Sequence, residues 1–181
     1  MICEVASRAE YYRLSERLRE RGLHEAMGEP VLCRWRSVEP HLVLDVMPTD
    51  PDILGFSNSW YEEAISTAAP VALGSGVEIR AATPLLLAAT KLCAWRGRGR
   101  GDLLASLDVH DVLTLIDGRP ELVGEVRSSR PDLRDYIRTE LAALRADPYF
   151  GYAVDGATAA YGPLGADRAR VVDGRIDALL A

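Results

Sequence analysis

The chain has 181 residues, 48% of them hydrophobic and 27% charged, with a net charge of −6. That is enough apolar material for a core without staples and fits one domain or two small subdomains. The negative balance excludes nucleic-acid binding through bulk charge, so any such site must be a local basic patch.

No apolar run is long enough for a membrane span, and no charged-then-apolar leader opens the sequence. The cysteines, Cys3, Cys33 and Cys93, are scattered and form no CxxC pair. They read as reduced core thiols in a cytoplasmic protein. His24, His41 and His110 are equally scattered, which gives a zinc hydrolase little support.

In chain order, Met1–Val5 reads as a strand. Ser7-Arg8-Ala9-Glu10 has the form of a capping box. It opens a helix to about Arg21, with Tyr11, Leu14 and Leu18 on one face and Gly22 as its C-cap. Two strands, roughly 31–36 and 41–47, are expected to pair antiparallel across Ser37-Val38-Glu39-Pro40. A short helix follows over 58–68, then strands at about 70–73 and 77–82 joined by Gly74-Ser75-Gly76.

At Thr83-Pro84 the character changes to helix. Thr at the N-cap and Pro at the first helical position mark the start of a helix that runs to about Trp95. A glycine–arginine loop, Arg96 to Gly101, precedes helices at about 103–117, 120–128, 132–146 and 149–160. The stretch 166–181 reads as polar and weakly helical. The expected fold class is α+β, with a small α/β part over 1–82 and a helical subdomain over 83–181.

Three groups could carry chemistry. Asp45 is a lone carboxylate in an apolar strand, and burying it unpaired would cost several kcal/mol. It is either a metal-binding or general-base acid of a phosphoryl-transfer site, or the partner of an arginine such as Arg34 or Arg36 on the neighbouring strand. Lys91 is the one charged residue between Leu85 and Trp95. It either snorkels to solvent or offers a point charge to a phosphate.

Arg96, Arg98 and Arg100, spaced by glycines, suit phosphate or RNA contact, or form a solvated loop. Asp108 and Asp111, three apart on a helix, share a face and call for a cation, which Lys91 or the arginine loop could supply. Gly118-Arg119-Pro120 reads as a turn between helices, and no P-loop, GxGxxG or GxSxG motif is present.

Four segments in order carry a resemblance: Val43 to Asp50, Leu54 to Tyr61, Leu87 to Gly99, and Ser106 to Leu122. Together, over about residues 2–150, they resemble the nucleotidyltransferases of the AbiEii/AbiGii toxin type, in the polymerase-β-like superfamily. The resemblance implies a nucleotidyltransferase-like mixed sheet and Mg²⁺-dependent transfer from an NTP to RNA, such as tRNA, or to protein, in a toxin–antitoxin setting.

It also implies roles: Asp45 as the third acid and metal ligand, Lys91 as a nucleotide contact with Arg96, Arg98 and Arg100 nearby, and Asp108 as the helical acid, with Asp111 as competitor. Family members carry a Gly-Gly or Gly-Ser turn and a DxD pair before the first helix. Met1–Val5 corresponds to the tail of that strand, so the expectation is an impaired chain whose full-length form holds the motif. The alternatives are a non-catalytic nucleotide- or RNA-binding module, and a protein that pairs with an antitoxin or with itself through an open sheet edge.

Overall fold

The computed structural model describes residues 2–3, 8–26, 33–39, 41–50, 52, 58–97 and 101–181. The elements, in order, are β1 (Ile2–Cys3), α1 (Arg8–Glu20), β2 (Leu23–Glu25), β3 (Arg34–Ser37), β4 (Val43–Asp45), β5 (Met47–Pro48), α2 (Tyr61–Ser66), β6 (Ala69–Ala72) and β7 (Glu78–Ala81). The helical run follows: α3 (Pro84–Gly97), α4 (Leu107–Gly118), α5 (Leu122–Ser128), α6 (Pro131–Arg145), α7 (Phe150–Thr158), a 3-10 segment (Ala159–Leu164) and α8 (Gly165–Leu180). The class is α+β. The chain forms two compact units, Met1–Ser66 and Thr67–Ala181.

In the first unit, α1 ends as its glycine dictates. Gly22 takes φ +79° and its N–H bonds to the Arg19 carbonyl at 2.9 Å. The chain turns directly into β2, which pairs antiparallel with β3, and β3 pairs antiparallel with β4. The expected hairpin is therefore the β3–β4 half of a three-stranded sheet. β2, too short to show an alternating pattern, extends it.

The regular strand β4 ends before Val46, although the Val46 N–H still makes the next bond of the β3–β4 ladder, to the Cys33 carbonyl at 2.9 Å. Beyond it β5 pairs in parallel with β1. Leu18, Trp35 and Val46 form the buried core, flanked by Leu14, Leu23 and Leu44. The guanidinium of Arg19 lies over the Trp35 ring at 5.5 Å. The capping box at Ser7 and the side chain of Cys3 lie outside the described residues.

The second unit opens with the β6–β7 hairpin and continues as a helical bundle. Thr83 caps α3 as expected, its Oγ1 accepting the Leu86 N–H at 3.4 Å. α3 is buried on nearly every side, through Leu86, Ala89, Leu92 and Trp95, which explains its uniformly apolar sequence. It packs along α4, and α4 in turn packs against α7 and α8.

Ser106, not residue 103, begins α4: its Oγ accepts the Val109 N–H, while Asp102 turns the preceding chain by accepting the Leu104 N–H. Gly118-Arg119-Pro120 is a turn between helices, as the sequence suggests. The last stretch departs from its weakly helical reading. α8 is a continuous helix that buries Ala169, Val172, Ile176 and Leu179. Their spacing of three, four and three is one helical face, hidden in the sequence by the charged residues between them.

Candidate functional site

Lys91 sits in the middle of α3 with about a third of its side chain exposed, where α4 runs alongside. One turn into α4, Asp108 and Asp111 project to the same side. The Lys91 Nζ lies 2.6 Å from Asp111 Oδ2 and 3.4 Å from Asp108 Oδ1. The cation expected for the two acids is thus Lys91.

The acids differ in setting. The Asp108 side chain is 6% exposed and that of Asp111 47%. Burial alone would lower the Lys91 pKa, but the hydrogen bond and charge of Asp111, followed by those of Asp108, outweigh it and the net shift is upward. The lysine is firmly charged. His110 is exposed, with Nδ1 3.5 Å from Thr114 Oγ1.

Beside the cluster lies an open groove of about 590 Å³, bordered by Pro84, Leu87, Asp111, Thr114, Leu115 and Arg119. Its lining is mainly apolar, and it is shallow and open to solvent. Arg119 at its border forms a forked ion pair with Glu125, which holds the Glu125 carboxyl below its ordinary range.

Asp45 stands elsewhere, in the first unit. It is directly opposite Arg34 in the β3–β4 register. Arg34 donates Nε–H to Oδ1 at 2.6 Å and Nη2–H to Oδ2 at 2.7 Å. Of the two partners read for Asp45, metal or arginine, the arginine is the one in contact. Its hydrogen bonds hold the Asp45 pKa below the ordinary carboxylate value despite partial burial.

Arg96 is also engaged. Its Nη1 lies 2.9 Å from Oε1 of Glu140, a carboxylate buried on α6. Arg98 and Arg100 lie outside the described residues. Sequence reasoning missed Glu140; the signal was an acid at a position of α6 in line with Leu133, Ile137, Leu141 and Leu144.

The Mg²⁺ implied by the resemblance does not fit the described residues. Among them no three carboxylate, histidine or cysteine side chains converge on a common point, and both oxygens of Asp45 are committed to Arg34. No helix of the described chain is long and apolar enough to cross a membrane.

Comparison with known proteins returns no match to a family model, a curated protein or a solved structure.

Proposed function

We propose that this chain is a nucleotidyltransferase-like protein of the AbiEii/AbiGii type, with its nucleotide contact at Lys91. What supports the reading is one arrangement: Lys91, Asp108 and Asp111, spread over 21 positions of sequence, meet within hydrogen-bonding reach beside an open groove.

The two acids then have different duties. Asp108, buried 3.4 Å from the Lys91 Nζ, fixes the inner side of the lysine; it is a positioning residue. Asp111, half in water, loses little when its share of the lysine is taken by a phosphate oxygen, so it is the exchangeable partner. The apolar border formed by Pro84, Leu87 and Leu115 suits the flat face of a base. Transfer from an NTP to RNA or protein comes from the resemblance alone, and so does its Mg²⁺, for which the described residues offer no converging set of ligands.

The second reading is a nucleotide- or RNA-binding module without transfer. The closed fork of Arg34 on Asp45 favours it, because an acid so held is a poor metal ligand. One experiment separates the two. The protein is incubated with NTPs labelled at the α-phosphate, in the presence of tRNA and Mg²⁺, and label retained on RNA or protein is measured beside equilibrium binding of unlabelled NTP.

Transferase activity predicts label transfer that EDTA abolishes and Lys91→Ala removes while circular dichroism stays native. Binding that Lys91→Ala weakens, that falls with salt and that leaves no label on any acceptor selects the module. No NTP binding in wild type overturns both.

A further inference from the structure

The β6–β7 hairpin has a property that the nucleotide reading does not use. Its loop is a type I turn closed by a bulge: the Gly76 N–H bonds to the Leu73 carbonyl at 3.0 Å, Gly76 takes φ +78°, and the Leu73 N–H bonds to the Val77 carbonyl at 2.7 Å. That bond sets the alternation of the ladder. Val71–Ile79 and Ala69–Ala81 are hydrogen-bonded pairs, while Ala72–Glu78 and Pro70–Arg80 are not. The backbone groups of Pro70 and Ala72 therefore face out from the β6 edge, and those of Glu78 and Arg80 face out from the β7 edge.

The two edges are unequal. Pro70 has no N–H to give, so the β6 edge is blunted where a new strand would pair. The β7 edge is open: among the described residues β7 pairs only with β6. Its outward sequence is Glu78-Ile79-Arg80, which is its own complement when read antiparallel.

We propose that two copies of this chain join β7 to β7 across a two-fold axis at Ile79, giving a four-stranded sheet in the order β6-β7-β7-β6. In that register Glu78 of each copy faces Arg80 of the other as a hydrogen-bonded pair of opposite charge, the favourable cross-strand combination. Ile79 faces Ile79 as a non-hydrogen-bonded pair, in which side chains come closest.

The symmetry keeps faces in step. Val71, Leu73, Val77 and Ile79, all exposed on one side of the hairpin, become a continuous apolar surface of the joined sheet. Two strands alone are marginal in water and gain from added strands. Among the described residues the Arg80 side chain bonds the Ala68 carbonyl through Nη2 alone.

The test uses the full chain. Sedimentation equilibrium is expected to show a concentration-dependent species of twice 19.8 kDa. Arg80→Glu places Glu against Glu and is expected to shift the protein to monomer. The double exchange Glu78→Arg with Arg80→Glu restores opposite charges and is expected to restore the dimer.

Ile79→Cys is expected to yield a disulfide-linked dimer on mild oxidation that wild type, with its native cysteines, does not form. A wild type that stays monomeric overturns the proposal. So does a dimer that withstands Arg80→Glu, one that the double exchange fails to rescue, or one that Ile79→Cys does not cross-link. None of these outcomes bears on nucleotide binding at Lys91.

Discussion

Arg34 holds Asp45 with both branches of its guanidinium, at 2.6 and 2.7 Å, across a directly opposed pair of the β3–β4 ladder. The fork is planar and charge-assisted, and it sits at the edge of water with about a third of the carboxylate exposed. Asp45→Ala or Arg34→Ala should therefore lower the stability of the first unit by about 1 kcal/mol.

The pH dependence has a definite sign. The folded pKa of Asp45 is depressed, so its contribution is present above the unfolded value of about 3.9 and is lost as pH falls through the lower folded value. Urea unfolding of wild type and Asp45→Asn below about pH 4 checks this, because the gap between them should narrow as the carboxylate protonates.

Lys91 and its two acids predict a split between stability and binding. Asp108→Asn removes the charge of a buried group and should destabilise the second unit by about 1–3 kcal/mol. Asp111→Asn, at an exposed position, should cost under about 1 kcal/mol. On the proposed reading Asp111→Asn leaves NTP affinity unchanged or tightens it, by freeing Lys91, whereas Lys91→Ala abolishes it.

At the alkaline end, the raised Lys91 pKa makes this cluster stabilising below the unfolded value of about 10.4. That contribution disappears as pH climbs through the higher folded value. Thermal melts of the three variants at neutral and high pH, read beside titration calorimetry with ATP, test both parts.

Much of this was legible in the residues. α1, the β3–β4 pairing, the β6–β7 hairpin and the Thr83-Pro84 helix start each carry a local signal, whether a cap, a turn glycine or a period. Asp45 also declared its need for a partner, and Arg34 stood on the strand expected to lie beside it.

What was hidden depends on tertiary contact. β2 has three residues and acquires its state from β3. Val46 drops out of the regular strand because Cys33, opposite it, takes φ +60° and ends β3, although the ladder bond between the two is kept. α8 looks polar because its charged residues outnumber the apolar ones on a single buried stripe. Glu140 and Asp117 are acids in apolar surroundings whose arginine partners, Arg96 and Arg168, lie 44 and 51 positions away, a distance that no local pattern spans.

Arg96 is expected to act in structure before it acts on a ligand. Its partner Glu140 is 2% exposed on the side chain, so Arg96→Ala removes an ionic partner from a buried carboxylate and should cost about 1–3 kcal/mol. Glu140→Gln in the same background should recover part of that loss, since a neutral amide is less costly to bury. A double-mutant cycle on chemical denaturation midpoints measures the coupling. Equal NTP affinity in wild type and Arg96→Ala is the accompanying expectation, because the arginine is occupied by Glu140.

Asp117 closes α4 and ties it to the C-terminal segment. A carboxylate at a helix C-terminus is opposed by the dipole of that helix, so it needs cations. Arg168 supplies one, with Nη2 at 2.5 Å from Oδ1, and also donates to the Asp117 carbonyl. Arg175 caps the carbonyls of Ile116 and Asp117.

The Tyr161 hydroxyl donates to Asp117 Oδ2 at 2.8 Å, while the Arg168 guanidinium lies 5.2 Å above its ring. That hydrogen bond to a carboxylate raises the Tyr161 pKa above the ordinary value for tyrosine. Asp117→Asn should bring Tyr161 back toward ordinary titration, visible as an earlier component in the ultraviolet difference titration of phenolate. Asp117→Ala should lower the stability of the second unit by about 2 kcal/mol, with strong coupling to Arg168→Ala in a double-mutant cycle. Additive losses for that pair would show that Arg168 contributes through the backbone carbonyl alone.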